Sequence, residues 1–175
     1  NSSSNLYSIN FPYEVNDIFK TYHDAVLLVD KGIKTVSSTA GHNLMNNHPF
    51  GEKRFQIAQE NTDKLSNILK NGDTNEFVKL VENEALMLHG LMMTSDPSYI
   101  LIKPNTLRII ESIREFRFKN DIPVCFTLDA GANVHVLFPD KYSDKVYNFI
   151  ETKLKVYCEN NSYIKDCVGF GAKQL

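Results

Sequence analysis

Two segments of this 175-residue chain combine residue types that could do chemistry. The first is Val36-Ser37-Ser38-Thr39-Ala40-Gly41. Its three consecutive hydroxyls donate hydrogen bonds well and fill a core poorly. Ala40 and Gly41 let backbone N–H groups come close to an anion such as phosphate. The second is Asp129-Ala130-Gly131-Ala132-Asn133, set between two apolar runs. A carboxylate that ends a buried strand is costly unless it is paired or put to use. Its small neighbours leave room for a substrate. Each segment also suits a plainer reading, a Ser-rich turn for the first and an Asx-type hairpin turn for the second.

Other chemistries find little footing. His23, His42, His48, His89 and His135 form no HExxH and no helical i, i+4 pair for a metal. His89 reads as a packed or hydrogen-bonded core residue, and Met87, Met92 and Met93 as gap-filling core. Ser112 and Cys125 have no evident base beside them. Gly169-Phe170-Gly171 is a lone GxG, and no GxxxxGK[ST] is present.

The elements that must position these segments follow from periodicity. Ala25 to Val29 is a short apolar run with branched residues, a buried strand ended by the turn residues Asp30-Lys31-Gly32. Pro49 suits a first helical position, with Phe55, Ala58, Leu65, Ile68 and Leu69 on one face and a stop at Asn71-Gly72. Asp73 and Glu76 read as a capping box ahead of Phe77, Leu80, Val81, Ala85 and Leu88. Asn105 predicts the cap of a third helix with Leu107, Ile110, Ile113 and Phe116 inward. The runs 124–128 and 134–138 predict a hairpin across the Asp129 loop. Val146, Phe149, Ile150, Leu154 and Tyr157 predict a fourth helix, and the tail an edge strand. Helices grouped on one face of a mainly antiparallel sheet, an α+β plan, are the expected fold.

Composition bounds the rest. Hydrophobic residues are 42% and charged residues 23%, and a chain of this size buries about 70% of its unfolded surface, enough for one core. A net charge of -2 gives no basic excess to grip nucleic acid or an acidic membrane. Apolar runs fall well short of the ~20 residues of a membrane span. Three cysteines without a CxxC suit a reducing compartment, so a cytoplasmic protein is expected. Residues 1–24 show no clean period and are interrupted by Pro12, so they read as a linker or strand from a preceding domain, with 25–175 as the domain proper. The opening Asn1-Ser2-Ser3-Ser4 suits the later part of a longer protein.

The hydroxyl segment and Phe126-Thr127-Leu128-Asp129-Ala130-Gly131-Ala132-Asn133, in this order with helices between, together resemble the diphosphomevalonate decarboxylase family. That family belongs to the GHMP kinase superfamily and carries a VSSTxG-type and a TxDAGPN-type segment. The likeness runs from about Ala25 to Phe149 and suits the family's C-terminal domain. It implies a ferredoxin-like antiparallel sheet with helices packed on one face. It implies ATP-dependent decarboxylation of 5-diphosphomevalonate to isopentenyl diphosphate, with ATP and Mg2+ bound mainly by an N-terminal domain outside these residues. By motif position, Asp129 matches the catalytic Asp, and Ser38 a substrate-contacting Ser. Ser37, Thr39 and Gly41 would surround the substrate diphosphate, and Gly131 and Asn133 would lie beside the reacting end. The implied partners are the small-molecule substrate, the chain's own N-terminal domain and, as in many family members, a second copy in a homodimer. Ala132 departs from the usual Pro, which predicts a less rigid loop, and His42 departs from a common Met. A mevalonate-type kinase without decarboxylation, or a non-catalytic interaction module of the same fold, are the alternatives.

Overall fold

The computed structural model describes residues 14–32 and 48–169. Strands β1 (Tyr22–Leu27), β2 (Cys125–Leu128), β3 (Val134–Pro139) and β4 (Tyr163–Cys167) form one sheet in the order β2-β3-β1-β4, antiparallel at every pairing. Helices α1 (Gly51–Asn71), α2 (Thr74–Met93) and α3 (Pro104–Asn120) lie between β1 and β2 in the chain, and α4 (Ser143–Phe149) follows β3. The last continues through a π turn, Ile150–Leu154, and a 3-10 turn, Lys155–Tyr157.

Alternation along the strands sorts the side chains to two faces. One face carries Ala25, Leu27, Phe126, Leu128, Val134, Val136 and Phe138. It is buried under Ile109, Ile110 and Ile113 of α3 and Val146, Phe149, Ile150 and Leu154 of the α4 segment. Each of these large side chains contributes roughly 2 kcal/mol by leaving water. The other face is closed at one end by an aromatic cluster, where Tyr22 lies 5.0 Å from Phe19 and 5.3 Å from Phe77 between ring centres. Its remaining part bears Asp24, Val26, Thr127 and His135, all only half-buried. Helix α2 lies along β2, and α1 packs on α2. The buried Glu82 of α2 accepts at 2.6 Å from Arg117 of α3, which also donates to the Val124 carbonyl at 2.6 Å. The α+β plan expected from periodicity is the fold observed, including the β2–β3 hairpin and the edge strand β4.

Several boundaries differ. Strand β1 starts at Tyr22 rather than Ala25, because its polar residues find partners: His23 on Asp140 and Tyr147, Asp24 on His135. Pro49 is not the first residue of α1. The helix begins at Gly51 with Phe50 as its cap, after a turn in which His48 Nδ1 accepts from Phe50 N–H and the His48 carbonyl from Gly51 N–H. Pro104, not Asn105, opens α3, and Asn105 inside the first turn donates to the Tyr157 carbonyl. The inward stripe of α3 is Thr106, Ile109, Ile110 and Ile113, leaving Leu107 exposed. In α2 the buried set is Val78, Glu82, Ala85, His89, Leu91 and Met92, whereas Met93 is exposed. Polar residues with partners stand on both stripes, which rotates them from the purely apolar pattern. Gly72 ends α1 with a φ of 76°, and Asp73 accepts from Glu76 N–H. The Glu76 carboxylate pairs with Lys79. Among the described residues no helix is long and apolar enough to cross a membrane.

Candidate active site

Phe126 and Leu128 face the helices, so Thr127 and then Asp129 face the opposite side of the sheet. His135 shares that side, paired in register with Thr127 on β2 and Val26 on β1. Asp24, two residues from Val26, stands on it as well. These three side chains meet. His135 Nδ1 is 2.8 Å from Asp24 Oδ2, and Nε2 is 3.7 Å from Asp129 Oδ2. A carboxylate oxygen only accepts, so Nδ1 carries the proton of the shorter contact. The Asp24 hydrogen bond, opposed by burial and aided by both carboxylate charges, holds His135 above its ordinary pKa of 6.5. Asp24 Oδ1 is buried without a hydrogen-bond partner among the described residues.

Asp129 itself is 70% exposed. The desolvation cost expected of a carboxylate at a strand end therefore does not arise, and what distinguishes Asp129 is its placement. The loop behind it is held from three directions. His89 of α2 donates from Nε2 to the Asp129 carbonyl at 3.0 Å, and burial pushes this imidazole below its ordinary pKa, favouring the neutral ring. Thr106 of α3 donates from Oγ1 to the Ala132 carbonyl at 2.7 Å. Asn133 Oδ1 accepts from the Asp30 N–H at 3.0 Å, tying the loop to the exit of β1. Ala132 is buried, so these bonds supply fixity that the missing Pro does not. Gly131 has open space where a Cβ would stand.

Asp129, Gly131 and Asn133 thus come together in the loop that closes the hairpin. Ser37, Ser38, Thr39 and Gly41 lie outside the described residues. Before them in the chain, Asp30 binds Asn133 through its N–H and pairs with Lys103. Lys103, helped by the Gly32 N–H, holds the Asp30 carboxyl below its usual range. After Gly41, His48 Nε2 is 3.0 Å from Thr94 Oγ1 at the end of α2, the helix that grips Asp129 through His89. Sequence reasoning missed His135 and Asp24. The signal was present in the alternation, since residues 127, 129 and 135 share a face once the hairpin register is drawn. No group of three His, Cys, Asp or Glu side chains among the described residues could hold a metal ion.

Comparison with known proteins gives this arrangement a context. Phosphomevalonate decarboxylase of Haloferax volcanii is 27% identical over 99 residues, 57% of this chain and 30% of that protein. The structure of mevalonate diphosphate decarboxylase from Staphylococcus aureus superposes with a TM-score of 0.82 at 22% identity, covering 97% of this chain and 50% of that one. A complex of MDDEF with MVAPP, AMPPCP and magnesium superposes with a TM-score of 0.78 at 22% identity, covering 91% and 47%. The chain thus spans about half the length of the solved relatives and matches less of the curated one. Residues 25–171 match the family described as the mevalonate 5-diphosphate decarboxylase C-terminal domain. With the fold, the order of the motifs and that match in agreement, the chain belongs to this decarboxylase domain family.

Proposed function

We propose that this chain is the substrate-side domain of an ATP-dependent decarboxylase acting on 5-diphosphomevalonate, with Asp129 at the reacting centre. The observation that carries the reading is the Asp129 loop, an exposed carboxylate on a loop fixed from α2, α3 and β1, in a chain of this family. The chemistry requires such a group. A tertiary alcohol is a poor nucleophile and hydroxide a poor leaving group. Asp129 orients the 3-hydroxyl and takes its proton as the oxygen attacks the γ-phosphorus of ATP, and the bond to ADP breaks. The carbon–carbon bond to the carboxylate then breaks. CO2 leaves, the electron pair forms the new double bond, and the 3-phosphate departs, giving isopentenyl diphosphate. Ser37, Ser38 and Thr39 hydroxyls, with the N–H groups near Gly41, bind the substrate diphosphate, and Gly131 and Asn133 line the reacting end. ATP and Mg2+ are held mainly by the chain's own N-terminal domain. The remaining partner is a second copy in a homodimer.

The test is the full-length protein incubated with ATP and 5-diphosphomevalonate, following ADP, phosphate and CO2 together. Equal release of all three is expected. A phosphorylated product without CO2 supports the kinase reading and overturns this one. The Haloferax relative's name favours a second substrate for the same chemistry, the 5-monophosphate, and the ratio of kcat/KM for the two substrates decides between them. Asp129→Asn is expected to lower kcat about a hundredfold or more with an unchanged melting temperature. Near-normal turnover removes Asp129 from the mechanism.

A further inference from the structure

An exposed carboxylate samples several directions unless something holds it. His135 Nε2 stands 3.7 Å from Asp129 Oδ2, an ion-pair separation longer than a hydrogen bond. The imidazole is itself fixed, because Nδ1 donates to Asp24 Oδ2 at 2.8 Å across the β1–β3 pair. With Nδ1 committed to Asp24, only the second nitrogen remains for Asp129. Unprotonated, Nε2 would turn a lone pair toward an anion, which is repulsive. Protonated, it turns an N–H, which is attractive. Asp24, His135 and Asp129 then form a row of anion, cation and anion on the open face of the sheet.

We propose that His135, anchored by Asp24, is the positioning residue for Asp129, pinning the direction of its carboxylate toward the open face where the reacting hydroxyl is placed. The proposal rests on the reading of Asp129 given above. His135 acts through Asp129 and touches no reacting atom. Asp24 does not touch Asp129 and serves by keeping the ring in plane. Among the described residues, the titratable groups around this row are few. Asp24 on β1 stands opposite Asp166 on β4 in register, Asp129 follows β2, and His89 of α2 lies behind the loop at the Asp129 carbonyl.

The experiment is kinetic, on the full-length protein with ATP and 5-diphosphomevalonate. His135→Gln keeps the bulk and an N–H but loses the positive charge. It is expected to lower kcat about tenfold while KM changes less than about twofold. The fall is expected in kcat rather than KM, and His135→Lys, which restores a cation at this place, is expected to recover part of it. Asp24→Asn changes kcat in the same direction, and the double variant is no slower than His135→Gln alone, as for residues acting in one chain. A kcat unmoved in both single variants, or a loss confined to KM, overturns the proposal. Asp129→Asn is the separate arm. If it keeps near-normal turnover, the reading of Asp129 falls and takes this proposal with it. If it is inactive while His135→Gln behaves as the parent, only the positioning role falls. Should His135→Gln not fold, nuclear magnetic resonance titration decides: the His135 imidazole titrates at lower pH in Asp129→Asn than in the parent, and identical titrations overturn the ion pair.

Discussion

At the level of single residues, burial and charge pull His135 in opposite directions, and the hydrogen bond to Asp24 wins, leaving its pKa above 6.5. The consequence for stability has a definite sign. A histidine raised on folding stabilises the native state fully below 6.5 and loses that contribution as pH rises through the folded value. The difference in urea midpoint between the parent and Asp24→Asn is therefore expected to be largest below 6.5 and to shrink at higher pH. A difference that grows with pH contradicts the assignment. Gly131 makes the complementary case. Nothing lies within 4 Å of where its Cβ would stand. Gly131→Ala should change stability by less than about 0.5 kcal/mol, yet raise KM if substrate comes close to this backbone. Unfolding and steady-state kinetics on one preparation read both.

At the level of elements, the Asp129 loop depends on helices distant in sequence. Thr106 is fully buried, donates to Ala132 and accepts from the Lys103 N–H at 3.1 Å. Thr106→Val strands both backbone groups and should cost about 2 kcal/mol, with a fall in kcat as the loop loosens. Thermal melting and turnover together check it. This dependence explains what was legible beforehand. The hairpin, the α4 segment and the edge strand announced themselves by apolar spacing, and the motif pair brought Asp129, Gly131 and Asn133 to notice. Helix starts were harder, because Pro49 and Pro104 look alike until the first is seen inside a turn closed on His48, with Phe50 as the cap, and the second after a chain that enters extended at Lys103. The stripes of α2 and α3 were misplaced because Glu82, His89 and Thr106 sit where hydrophobic residues are expected, each satisfied by a partner far along the chain. The His135–Asp24 contact bridges 111 positions and becomes visible only when strand register is known.

At the level of the whole molecule, the Glu82–Arg117 pair ties α2 to α3 and to the entry of β2. Removing one charge of a buried pair leaves the other uncompensated, so Glu82→Gln should cost about 3 kcal/mol, seen as a lower denaturant midpoint at an unchanged slope. Replacing both partners by apolar residues should recover much of that loss. The three thiols divide unequally across the same architecture. Cys125 is enclosed between sheet and helix and resists ionisation, and burial pushes Cys158 up to about 11, whereas Cys167 stands exposed on β4. Because the thiolate is the form that alkylates, a maleimide dye offered to the native molecule should settle on the outermost strand, giving a fluorescent reporter at one address without removing either of the enclosed sulfurs.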